Sequence, residues 1–178
     1  MKTKLIYVFI ISLILAGLVG VNAIISGRFG EIEVRILIST LAFTVYSIIG
    51  LACNTAVGTQ YDVIGKIGLG VTAWALAFAI FTTWVTPDNL GFLQTRFSFL
   101  VIAIGFAHAS LMLLVDQKTA AIRFVVITAI GASVVVGILL VSMIHGAGSL
   151  ASLQIVGVAS LVGVISTLCA PLLSKASG

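Results

Sequence analysis

A chain of 178 residues is the right length for one soluble domain, but this one is 61% hydrophobic and only 8% charged, with a net charge of +4. Water-soluble domains carry about 25% charged residues to keep their surface wet, so a soluble globule is excluded and lipid is the solvent. A nucleic-acid binder would concentrate its basic residues in a dense patch; here they are spread thinly along the chain, so no nucleic-acid partner is expected.

The charged residues fall in short clusters, and between them run six uncharged stretches, roughly 5–25, 36–57, 67–86, 97–115, 124–144 and 155–173. A helix needs about 20 mostly apolar residues to cross a hydrocarbon core of about 30 Å. A backbone in lipid must also satisfy its own polar groups. All six stretches therefore read as transmembrane helices, and the fold class is an all-α, polytopic membrane bundle. The alternating ten-residue strands of a membrane barrel are missing.

The first stretch follows Lys2 and Lys4 and ends at Val21-Asn22-Ala23, a pattern shared with cleavable secretory signals. The repeat described below favours a retained helix. Basic residues stay on the cytoplasmic side of a membrane. With six spans, one side collects Lys2, Lys4, Lys66, Lys118, Arg123 and Lys175, and the other collects Arg28, Arg35 and Arg96. The expectation is an inner, cytoplasmic membrane protein with both ends on the cytoplasmic side. Cys53 and Cys169 then lie in reducing halves of their helices, where a disulfide does not persist. Without C-x-x-C spacing they carry no metal signature.

The chain repeats itself about every sixty residues, most clearly where a helix returns from the outer side. Gly30-Glu31-Ile32-Glu33-Val34-Arg35 is followed sixty-one residues on by Gly91-Phe92-Leu93-Gln94-Thr95-Arg96, and sixty further on by Ala151-Ser152-Leu153-Gln154-Ile155-Val156. The domain organisation is thus one transmembrane domain, 1–178, of three tandem helical hairpins at about 1–61, 62–122 and 123–178. Repeats with an even number of spans keep their orientation, so a pseudo-threefold axis along the membrane normal is expected. Glu33, Gln94 and Gln154 suit the free N–H groups of a helix start. Glu31 and Arg35 have i, i+4 pairing distance, and Arg35 and Arg96 can reach headgroup phosphates. The functional alternative for this motif is an outer-face anion site.

Eleven or so residues into each returning helix come Tyr46 and Ser47, then His108, then Ser166 and Thr167. At 1.5 Å per residue they lie roughly 16 Å deep, near the membrane centre. Polar groups at that depth face the bundle interior. The plain reading is a hydrogen-bonded cluster; the sharper one is a small-molecule or ion site keyed by His108. Small-residue stripes at four-residue spacing mark helix contacts: Ala16 and Gly20, Ala103 and Ala107, Ala129, Ser133 and Gly137, and Ala159 and Gly163.

The last helix, with Gly157-Val158-Ala159, Gly163, Thr167 and Pro171, resembles the final helix of uncharacterised bacterial multi-pass membrane proteins with repeated hairpins. Their leucine-rich hairpins open on an Arg, matched here by Arg35 and Arg96. The likeness covers the returning helices and departs at Gly163 and Ser166, where an Asp and a Gly belong. It implies no activity and no cofactor.

No carboxylate lies inside any of the six stretches, which disfavours proton-coupled transport. No paired-carboxylate or H-E-x-x-H metal site occurs, and Gly146-Ala147-Gly148-Ser149 lacks the following Gly of a nucleophile elbow. Three readings follow. The leading one is a non-enzymatic accessory, assembly or scaffold component, with the bilayer and a membrane protein or a second copy as partners. The others are a small channel or facilitator, and a membrane cofactor or enzyme site around His108.

Overall fold

The computed structural model describes residues 6, 7, 10, 11, 14, 15, 17, 18, 21, 30–85 and 90–176. Among them five long helices follow one another without a strand: α1 (Glu31–Asn54), α2 (Asp62–Val85), α3 (Leu90–Met112), α4 (Ala120–Ile144) and α5 (Leu150–Ala176). All five are long and apolar enough to cross a membrane. Six were expected; the stretch 5–25 that makes the difference lies largely outside the described residues. Short connections place Lys66, Lys118, Arg123 and Lys175 toward one end of the bundle and Arg35 and Arg96 toward the other.

Local chemistry sets the helix boundaries. Between α1 and α2 the chain turns at Gly58, whose φ of +82° lies in the left-handed region. Its N–H donates to the Asp62 carboxylate at 2.8 Å, and Lys66 pairs with the same carboxylate at 2.5 Å. Gly58→Ala should therefore destabilise the turn by about 1–2 kcal/mol, the cost of a Cβ in that conformation, lowering the unfolding midpoint in detergent. The Thr119 hydroxyl caps α4 by accepting from the Ile122 N–H. Pro171 lies within α5.

The core sits where α1, α2 and α3 pack on one another. Ala42, Tyr46, Ile49 and Cys53 of α1 meet Ala75 and Ala79 of α2 and Ala103 and Ala107 of α3. Lipid gives no hydrophobic drive between helices, so close packing must hold them together. The approach is closest at two glycines of α2. A methyl at Gly68 would lie 2.7 Å from Cys53 Sγ, and one at Gly65 would lie 2.9 Å from the Cys53 carbonyl oxygen. The second neighbour is backbone and cannot swing aside. Gly65→Ala should cost about 1–3 kcal/mol as an overpacking change, read as a lower thermal midpoint in detergent.

The third hairpin is held differently. α4 packs on α3, and α5 packs on α4, through Met112, Ile122, Val126, Ala129 and Ala170. In α1, 39% of the spanning window is buried, against 11% in each of α4 and α5. α1 and α3 pack together, but α5 has no comparable contact with either. Sixty-one residues on from Tyr46 stands Ala107, and both are buried in the α1–α2–α3 core.

Candidate functional site

Two regions gather the polar side chains singled out by the sequence. The first is the outer ends of the helices. The last carbonyls of any helix lack intrahelical partners, and at a membrane boundary an unpaired carbonyl is costly. Arg35 of α1 donates from Nη1 to the Trp84 carbonyl at the end of α2, at 3.1 Å. One turn on, the Ser39 hydroxyl accepts from the Trp84 indole N–H at 3.0 Å. The same construction recurs in the next hairpin. Gln94 of α3 donates to the Ile144 carbonyl at the end of α4, at 2.8 Å. One turn on, the Ser98 hydroxyl lies 3.2 Å from His145 Nε2. Both α1 and α3 thus cap and clasp the outgoing helix of the following hairpin with two residues spaced i, i+4.

The remaining motif residues have local roles. Arg35 also forms the i, i+4 ion pair with Glu31. Glu33 folds back over the start of α1 at Gly30, where a negative charge suits the helix dipole. Arg96 donates to the Thr83 hydroxyl at 3.1 Å within its own hairpin, and Thr83 passes a hydrogen bond to the Ala79 carbonyl at 2.8 Å. Gln154, the third copy, is exposed.

The second region is a cleft of about 440 Å³ between α3 and α5, floored by α4. His108 lines one wall and Thr167 the other, with Ser133 on the floor and Gly105, Gly137 and Gly163 leaving the space. The His108 ring lies beside the Ala129 backbone of α4. The hydroxyls of Ser133 and Thr167 are already given to the Ile130 and Gly163 carbonyls of their own helices, each at 2.7 Å. Apart from these residues and Ser160 the walls are apolar, so the cleft is suited to an apolar guest more than to a hydrated ion.

The expected mid-membrane level is thus divided. Tyr46 is buried in the α1–α2–α3 core, and Ser47 on the same helix is buried too. His108 and Thr167 share the cleft, and Ser166, also buried, sits beside Thr167 on α5. Because α5 stands away from α1, the five residues do not form one cluster.

Reading the sequence passed over Ser39, Ser98 and the clasping roles of Trp84 and His145. The repeat would not have found them, because the clasping pairs 35 and 39 and 94 and 98 are fifty-nine apart while the motif repeats at sixty-one. It also passed over a buried junction near the other end, where Thr72 of α2 and Ser110 of α3 flank the Cys53 thiol of α1. Thr72 donates to the Gly68 carbonyl at 2.7 Å, while the fully buried Ser110 hydroxyl has only the Cys53 thiol, a weak partner, beside it. Ser110→Ala removes a poorly partnered polar group, so it should change stability by no more than about 1 kcal/mol, seen as a nearly unchanged unfolding midpoint. No signal in the sequence marks this junction, since isolated small polar residues are common in such helices.

No protein-family model, no curated protein and no solved structure matches this chain.

Proposed function

We propose that this is a six-span protein of the inner membrane, with both chain ends cytoplasmic, acting as a non-enzymatic accessory, assembly or scaffold component. The observation that carries the reading is the use made of the polar side chains. Arg35, Gln94, Ser98 and Arg96 are spent on clasps and caps between helices. Thr40, Thr82, Ser133 and Thr167 are spent on carbonyls of their own helices. Such groups build a bundle and leave few free for turnover. Meanwhile α4 and α5 expose Val134, Ile138, Val158, Leu161, Ile165, Leu168 and Leu172, faces for lipid or a partner helix.

The test is purification of the tagged full chain from its native membrane in mild detergent. The proposal expects a complex larger than the monomer, with a membrane protein in fixed stoichiometry and no chromophore. A lone monomer that conducts ions in liposomes would overturn it.

The cleft beside His108 favours a second reading, a site for an apolar small molecule oriented by the imidazole. It expects a co-purifying compound or an absorption band that His108→Leu abolishes without loss of folding. An unchanged spectrum and unchanged small-molecule content in that variant would end it.

A further inference from the structure

We infer that the guest of the cleft between α3 and α5 is an apolar molecule bearing a hydroxyl, which enters as a hydrogen-bond donor and is held at the level of His108 and Thr167. This deepens the second reading above and rests on it.

The cleft's glycines are not used for helix contact. At Gly65 and Gly68 a methyl would strike Cys53 of α1, so those two glycines serve close approach. A methyl at Gly105 would meet nothing within 4 Å, and one at Gly137 would meet Val101 at 3.7 Å, an ordinary contact. Glycine inside a helix costs about 1 kcal/mol against alanine, and what it leaves here is room beside the imidazole. The resulting space of about 440 Å³ lies within the range of small-molecule sites, about 300–1,000 Å³.

The polar groups gather toward one end of that space. Ala132 of α4 lies 3.5 Å from where a methyl at Gly163 of α5 would stand. The two helices run antiparallel through a short connection, so Thr167, one turn on from Gly163, comes level with Thr128 and Ala129. The His108 ring also lies beside Ala129. Ring and hydroxyl thus share a level on opposite walls, with Ser133 one turn along the floor. Val101, Val136, Leu140 and Val164 continue the walls toward the α4–α5 connection as apolar surface.

Counting donors and acceptors at that level defines what a guest must bring. The Ser133 and Thr167 hydroxyl hydrogens are given to the Ile130 and Gly163 carbonyls, so each oxygen offers only lone pairs. α4 runs unbroken through Ala129. Its N–H is spent inside the helix, and its carbonyl oxygen keeps a second lone pair for the ring. The ring nitrogen toward Ala129 therefore carries the hydrogen. No carboxylate lines the cleft to balance an imidazolium, and an isolated charge in hydrocarbon is costly. The ring is thus neutral, and its other nitrogen is an acceptor. The level presents acceptors and no donor. A ketone, an ester or a quinone would set lone pair against lone pair there, whereas a hydroxyl supplies the missing hydrogen. Ser160, whose hydroxyl serves either way, lies about two turns from Thr167 on α5.

The test is binding to the full chain in lipid nanodiscs, with empty nanodiscs as the blank. The probes are 2-naphthol and its methyl ether, two molecules of one shape that differ in the donor. The naphthol should bind saturably and roughly tenfold more tightly than the ether, the factor that one well-made hydrogen bond supplies. His108→Phe keeps a ring in place without the acceptor. It should bring the naphthol down to the affinity of the ether and leave the ether unchanged. Gly105→Leu fills the cleft and should abolish both. Equal affinities on the unaltered chain, or a preference for the ether, would overturn the hydroxyl requirement, while an apolar site that Gly105→Leu removes would still stand. A preference for the naphthol that His108→Phe leaves intact would place the contact elsewhere and overturn the inference as well. Absence of saturable binding by either probe would overturn the inference and the second reading together. Misfolding of a variant does not remove the test, because the two probes are compared on the unaltered chain.

Discussion

Tyr46→Ala should lower the stability of the detergent-solubilised protein by about 3 kcal/mol, the low end for emptying an aromatic site. Tyr46 is only 5% exposed and stands where α1, α2 and α3 converge, against Ala42, Ala75, Ala79 and Ala103. The alanines cannot extend into the void, so the dispersion attraction that the ring supplies is at best partly replaced by larger members of the cluster such as Ile49 and Phe99. The transfer part of the penalty is small in a membrane protein, because lipid is as apolar as the core. His108→Ala is the control. Its side chain already borders an open cleft, so its removal should cost less than about 1 kcal/mol, the scale of one hydrogen bond. Unfolding midpoints in a denaturant titration compare the two. An equal loss for both would show that the first junction is no better packed than the second.

The second large effect belongs to the outer clasps. Gln94→Leu should cost about 1–3 kcal/mol, because it leaves the Ile144 carbonyl without its donor. Arg35→Leu should cost a similar amount through the Trp84 carbonyl. If capping is the role, the charge of Arg35 is dispensable and its donor is not. Arg35→Gln should then recover most of the loss, since glutamine does this work at position 94. A purely electrostatic role, such as holding an outer-face anion, predicts no recovery. The members of one clasp are coupled, so Gln94→Leu and Ser98→Ala together should cost less or more than their sum. Strict additivity would mean that the two bonds act alone.

Much of this architecture is legible in the residues. The spacing of the charges marks the spans, because a charge cannot be left in the hydrocarbon core without compensation. The outer motif correctly pairs Glu31 with Arg35 and places Gln94 at a helix start. The clasps themselves are harder to read, because they join residues forty-nine or fifty apart through a backbone carbonyl that every residue type supplies. Depth follows from counting along a helix, but lateral position depends on packing that the count does not carry: Tyr46 lies in the α1–α2–α3 core, while His108 and Thr167 line the cleft between α3 and α5. Cys53 is buried where α1 meets α2, and Gly65 and Gly68 let the helices approach there.

The central claim is a bundle of membrane-spanning hairpins whose successive loops lie on alternate sides. Labelling with a membrane-impermeant maleimide tests it most directly. Gln60→Cys lies between α1 and α2, and Ala147→Cys lies between α4 and α5. With Cys169→Ala, in intact cells, Ala147→Cys should label at once and Gln60→Cys only after the membrane is opened. Labelling of both positions from the same side would contradict the account.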